Sequence, residues 1–98
     1  MVEYLYDAIR AVAGQEIKVN AFITDENEQP ITEGCFFVLH DPTGKELVVS
    51  VNGEYLPDNL MWEFTIPAEA TKGLKGRYWY CIQYDMNNMC FQQPIYLL

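Results

Sequence analysis

The sequence predicts an all-β fold, and three observations lead to it. Apolar residues recur at every second position in several stretches, the period that gives a strand one buried and one wet face. Half of the 98 residues are hydrophobic and 14% are aromatic, too many for a disordered chain, and the aromatic and β-branched types favour strands. Short polar clusters rich in Gly, Pro and Asp separate these stretches, as turns do. A chain of this length buries about two-thirds of its extended surface, enough for one core, so residues 1 to 98 are expected to form a single domain.

Residues 1 to 13 are the most ambiguous. Tyr4, Leu5, Ala8, Ile9 and Val12 would form a helical stripe, but Ala13-Gly14-Gln15 leads into an alternating segment, which favours a strand over 7 to 13 and leaves 1 to 6 as an extended or helical arm. Between 16 and 24, Ile17, Val19, Ala21 and Ile23 alternate with polar residues, with Phe22 as an exposed exception. Asp25 to Gln29, closed by Pro30, reads as a loop. Residues 19 to 34, VNAFITDENEQPITEG, resemble the strand, acidic turn, Pro and Gly order of bacterial and phage immunoglobulin-like modules, which implies that Gly34 opens the next strand, with Cys35, Phe37 and Leu39 inward and Phe36, Val38 and His40 outward. Asp41-Pro42-Thr43-Gly44 is a turn with Pro where its φ is preset. Residues 46 to 51 follow with Leu47, Val49 and Val51 inward, and Asn52-Gly53 reads as a two-residue hairpin into Glu54 to Leu56.

The densest pattern is 60 to 84. Trp62, Phe64 and Ile66 alternate with Met61, Glu63 and Thr65, predicting a core strand. Pro67 ends it, because it lacks an N–H, and suits the start of a short helical turn over 67 to 72. Gly73 closes that turn in a left-handed conformation and Leu74 plugs the corner. Beyond Gly76, Tyr78, Tyr80, Ile82 and Tyr84 line one face, Trp79, Cys81 and Gln83 the other. The last strand, 89 to 98, carries Pro94, which argues for an edge, bulge or break. Its apolar ending, Ile95, Tyr96, Leu97 and Leu98, is expected to be covered.

Formal charge is −8 with only six Lys and Arg, a balance that repels phosphate backbones and argues against nucleic acid or anionic membranes as partners. No run approaches the roughly 18 apolar residues of a membrane span, and no signal-peptide pattern follows Met1, so a cytoplasmic site of synthesis is expected. Cys35, Cys81 and Cys90 are an odd number. An Asn87-Asn88 turn would pair Cys81 with Pro94 and leave Cys81 and Cys90 about 13 Å apart, beyond disulfide reach, so free thiols are expected. Their spacing matches no zinc signature.

Catalysis would need Ser50 or a cysteine served by His40, and neither sits on an elbow or helix N-terminus that could activate it. Asp25, Glu26, Glu28, Asp41 and Asp58 read as solvated loop residues, without the dense spacing calcium requires. No glycine loop for phosphate is present. No enzymatic activity, cofactor or metal is therefore expected.

The Gly76-x-Tyr78-x-Tyr80 run after a polar corner resembles the immunoglobulin-like sandwich, whose equivalent strand reads Gly-x-Tyr-x-Cys. Tyr80 replaces the cysteine and strand 16 to 24 offers no cysteine partner, so an antibody-type domain is not expected. The layout ITDENEQPI, a strand and hairpin, then WEFTIPAEATKGLKGRYWYCIQ is similar to immunoglobulin-like domains of bacteriophage virion proteins, particularly those at the start of baseplate upper proteins. The resemblance spans about residues 16 to 85. It implies an antiparallel β-sandwich of about seven strands, a non-enzymatic tail, baseplate or decoration component resident in the virion, and other virion proteins or a second copy as partners. The residues expected to make contacts are Phe36, Val38, Trp79 and Cys81 on an outer sheet face, with Tyr4 and Tyr96 at the apolar ends. Two alternatives stay open: the N-terminal Tyr4, Leu5 and Tyr6 fold back over that face, or Trp79 stacks on a carbohydrate.

Overall fold

The computed structural model describes residues 2–5, 8–84 and 92–98. Eight strands follow in chain order: β1 (Val2–Leu5), β2 (Ala8–Ala11), β3 (Ile17–Ala21), β4 (Phe36–His40), β5 (Leu47–Leu56), β6 (Met61–Ile66), β7 (Gly76–Gln83) and β8 (Gln93–Leu97). A one-turn helix, α1 (Ala68–Thr71), separates β6 from β7. The strands form one sheet in the order β1-β2-β8-β7-β4-β5-β6-β3. It curls almost into a barrel: the Asn20 amide of the last strand donates to the Tyr4 hydroxyl of the first at 2.8 Å.

The alternation read from the sequence sets the core. Ile9, Ala11, Ile17, Val19, Phe37, Leu39, Trp62, Phe64, Ile66, Tyr80, Ile95 and Leu97 converge in one buried cluster with Cys35. At its centre the Phe37 ring stacks on Tyr80, centroids 5.3 Å apart, and tilts against Phe64 at 6.2 Å. Such aromatic contacts add about 0.5–1.5 kcal/mol beyond the area they bury.

The corner is built as its sequence dictates. Pro67 ends β6, and the Ala70 N–H and Leu74 N–H donate to the Pro67 and Thr71 carbonyls, both at 3.0 Å. Gly73 takes φ 82°, a left-handed conformation that glycine adopts without cost. Thr71, fully buried, accepts the Gly14 N–H on its Oγ1 at 3.0 Å and ties this corner to the link between β2 and β3.

Several expectations are corrected. Residues 2 to 5 give a strand of their own, β1, which pairs with β2 and raises the strand number among the described residues to eight. The sheet is mixed, because β2 runs parallel to β8. The Leu98 N–H donates to the Ala11 carbonyl and the Ala13 N–H to the Leu98 carbonyl, so Leu98 is tied to the end of β2. Pro94 lies in an interior strand, tolerated one residue before the ladder with β2 begins at Ile95. Asn52-Gly53 is no hairpin: β5 runs unbroken, and the turn is made by Pro57 to Leu60. Gly53 instead marks where β5 changes partners, from Phe36 of β4 at Asn52 to Phe64 of β6 at Gly53. β5 thereby carries the sheet around the core.

Leu47 faces out, 61% exposed, contrary to the inward assignment. A register shift between Leu39 and His40 pairs Leu39 with Val49 but His40 with Leu47. The extra residue on β5 is a bulge, and a bulge reverses the facing of what lies beyond it. The pairing of β7 with β8 also differs by two residues from the sequence reading: Trp79 stands opposite Pro94 and Tyr80 opposite Gln93. The Asn87-Asn88 turn lies outside the described residues.

Candidate surface on the outer sheet face

The face of β8, β7, β4 and β5 turned away from the core gathers most of the residues singled out from the sequence. Ladder partners line up in rows across it. Arg10, Tyr96 and Arg77 form one row, and Pro94, Trp79, His40 and Leu47 the next. Cys81, Val38 and Ser50 form the third, Gln83, Phe36 and Asn52 the fourth. Phe36, Val38, Trp79, Cys81 and Tyr96 therefore share one face.

Their exposure differs from expectation in a telling way. Val38 and Cys81, opposite one another on β4 and β7, are buried, with 7% and 3% exposure, although they point away from the core. Cys81 takes part in a disulfide, which corrects the expectation of three free thiols. Cys90 lies outside the described residues. Cys35 is a free buried thiol whose pKa is raised to about 11 by desolvation, so it stays protonated and unreactive near neutrality.

Trp79 is half-buried, and the cover is the 41 to 44 turn, not the N-terminal segment. Its Nε1–H donates to the Pro42 carbonyl at 3.0 Å, and a Cβ on Gly44 would lie 3.6 Å from its ring. The Arg77 guanidinium sits 5.0 Å from the ring centroid, a cation–π contact. The turn itself is held by Asp41, whose Oδ1 accepts the Thr43 hydroxyl at 2.6 Å and the Thr43 N–H at 3.1 Å. The Thr43 hydroxyl, helped by the Glu46, Lys45 and Thr43 amides, lowers the Asp41 pKa below the ordinary carboxylate value.

Tyr4 is not brought to this face. It stands at the seam between β1 and β3, 53% exposed, beside a recess of about 430 Å³ lined with Val19, Ala21, Ile82 and Tyr80. In this recess the Tyr80 hydroxyl donates to Gln93 Oε1 at 3.0 Å. Ser50 lies opposite Val38, His40 opposite Leu47, so the ladder does not set serine against histidine. Among the described residues no group of three His, Cys, Asp or Glu could hold a metal ion, and no helix is long and apolar enough to cross a membrane.

Sequence reasoning missed Arg10, Arg77 and Leu47. The first two were legible as a signal, since they are the only arginines in the chain, but nothing in their spacing of 67 positions says that Tyr96 lies between them. Compared with protein-family models, with curated proteins and with solved structures, the chain shows no significant match.

Proposed function

We propose that this chain is a non-enzymatic assembly module with an immunoglobulin-like fold, working through the outer face of β8, β7, β4 and β5. The observation that carries the reading is the composition of that face: Tyr96, Trp79, Leu47 and Phe36 lie together, flanked by both arginines. Tyr, Trp and Arg dominate the energetics of protein interfaces, because they combine large apolar area with few rotatable bonds and a polar handle. The immunoglobulin-like reading is supported by the pairing of β3 with β6, the run β8-β7-β4, and the parallel placement of β2 beside β8. The likeness of the 16 to 85 layout to phage virion domains extends the proposal to a tail, baseplate or decoration component, made in a bacterial cytoplasm and resident in the particle.

The carbohydrate alternative draws on Trp79 as a flat platform. Here Arg77 occupies the ring's neighbourhood and the Asp41 to Gly44 turn its Nε1 edge, which favours a protein contact over sugar stacking.

Particles purified from the cell that makes this chain are expected to contain it. Tyr96→Ser, which removes a 38%-exposed ring without opening the core, is expected to lower its occupancy about tenfold, the effect of one interface anchor, with an unchanged circular dichroism spectrum. Absence of the chain from particles, or undiminished incorporation of Tyr96→Ser, would overturn the reading; binding of the pure protein to a glycan with quenching of Trp79 would replace it.

A further inference from the structure

We propose that copies of this chain associate head to tail, the Arg77 and Tyr96 end of one copy receiving the acidic 25-to-33 loop of the next. The inference rests on the assembly reading and names a second copy as the partner.

It follows from how the fold sorts charge. All six basic residues belong to one end of the strands, Lys45 in the turn that follows His40, opposite Trp79. Arg77 is one residue from the start of β7, Arg10 stands opposite Tyr96 near the end of β8, and Lys72 and Lys75 lie in the corner leading to Gly76. Lys18 is one residue from the start of β3, at the level of Thr65. Arg10 is paired with Glu3 at 2.7 Å and Lys18 with Glu63 at 3.6 Å, whereas among the described residues Lys72, Lys75 and Arg77 form no ion pair. Glu3, Glu16 and Glu69 share this end, as do Asp41 and Glu46 of the turn beyond His40, so among the described residues six basic side chains there meet five acidic ones.

The other end has the opposite character. β3 leaves the sheet at Ala21, opposite Trp62, and β4 enters it at Phe36, opposite Gln83. The loop between them carries Asp25, Glu26, Glu28 and Glu33, all exposed, and no Lys or Arg lies anywhere between Lys18 and Lys45. The loop is shaped and held. Asp25 Oδ1 accepts the Asn27 and Gln29 N–H groups at 2.8 and 3.0 Å, the Ile31 N–H returns to Ile23 at 2.9 Å, and the Trp62 Nε1–H pins Ile31 at 2.6 Å. Phe22, 71% exposed at the loop's root, adds an apolar ring beside the carboxylates.

A chain of net charge −8 would repel its own copies if that charge were spread evenly. It is not. The two ends are separated by the eight residues of β7, about 23 Å at about 3.3 Å per residue, nearly three Debye lengths at physiological salt. At contact, each end therefore feels the end it meets and little of the remainder. Acidic loop against Arg77 and Lys75, with Phe22 against Tyr96, is complementary in both charge and apolar character. The two patches being different, the contact is heterologous and repeats, giving a ring if the rotation closes and a filament if it does not.

Charge reversal tests this with the intact chain. Sedimentation velocity of the wild type is expected to show association that grows with protein concentration and weakens as sodium chloride is raised. Lys75→Glu with Arg77→Glu, and separately Glu26→Lys with Glu28→Lys and Glu33→Lys, are each expected to stay monomeric, because each carries one sign at both ends. An equimolar mixture of the two variants is expected to associate again, since the reversed head fits the reversed loop. All five positions are exposed, and circular dichroism checks that both variants fold. Association that survives either reversal, or a mixture that stays monomeric while the wild type associates, overturns the head-to-tail contact. A wild type that is monomeric up to its solubility limit also overturns it; if such a protein still enters particles, the assembly reading stands with a different partner.

Discussion

Phe37→Ala is expected to cost about 3–5 kcal/mol, the range for deleting a fully buried phenylalanine whose cavity cannot collapse. The site cannot collapse because Phe37 is fully enclosed, with Tyr80 stacked on one side and Phe64 tilted on another. Those two rings are fixed in turn by strands β7 and β6, which approach Phe37 from different parts of the curled sheet. Against a total stability of about 5–15 kcal/mol for a domain of this size, the loss brings the variant close to unfolding. Urea denaturation measures it, as a lowered midpoint at unchanged slope. The neighbouring Phe36→Ala supplies the contrast: its ring lies half-buried on the outer face, and its loss is expected to cost about 1 kcal/mol or less. Equal costs at 36 and 37 would mean that the two faces of β4 are wrongly assigned.

Gly53→Ala is expected to destabilise by about 2–3 kcal/mol, through overpacking. The backbone at Gly53 is not left-handed, so an L side chain is acceptable there as far as φ is concerned, and the cost is steric alone. A Cβ at this position would lie 2.5 Å from Phe64 Cε1 and 2.7 Å from Trp62 Cε3. Both rings belong to the core and cannot swing away, since the Trp62 Nε1–H is bonded to the Ile31 carbonyl. β5 can therefore cross from β4 to β6 at close range only where it has no side chain. Combining Gly53→Ala with Phe64→Leu is expected to recover part of the loss, because the shorter side chain vacates the space the Cβ needs. A fully additive double variant would show that the clash is not with Phe64.

These two residues also mark what the sequence could and could not reveal. Phe37 was legible: it alternates with Phe36 and Val38, and alternation reports which face is inward whatever the strand order. The same logic placed Leu39, Trp62, Phe64, Ile66 and Tyr80 correctly, and the local chemistry of Pro67 and Gly73 placed the corner. Gly53 was misread because Asn-Gly is a turn signal that says nothing about distant rings. Glycine serves tight turns and close approaches alike, and only the position of Trp62 and Phe64 decides between them. Leu47 was lost to a single bulged residue, which reverses facing without leaving a mark in composition. The parallel pairing of β2 with β8, and the row Arg10, Tyr96, Arg77 that follows from it, joins positions far apart in the chain through tertiary structure alone. Val38 and Cys81 were placed on the correct face but expected to be exposed, since alternation gives direction and not what lies above it.

The central claim is that the outer face of β8, β7, β4 and β5 is the surface through which this chain is built into a larger structure. Hydroxyl-radical footprinting of the free chain and of the chain within particles addresses it residue by residue. Tyr96, exposed in the free chain, is expected to become protected on assembly, together with Leu47 and Phe36 from the same face, while Tyr55 and Leu60 on the β5 to β6 side keep their reactivity. Protection confined to Tyr55 and Leu60, with Tyr96 and Leu47 as reactive in the particle as in the free chain, would contradict the account.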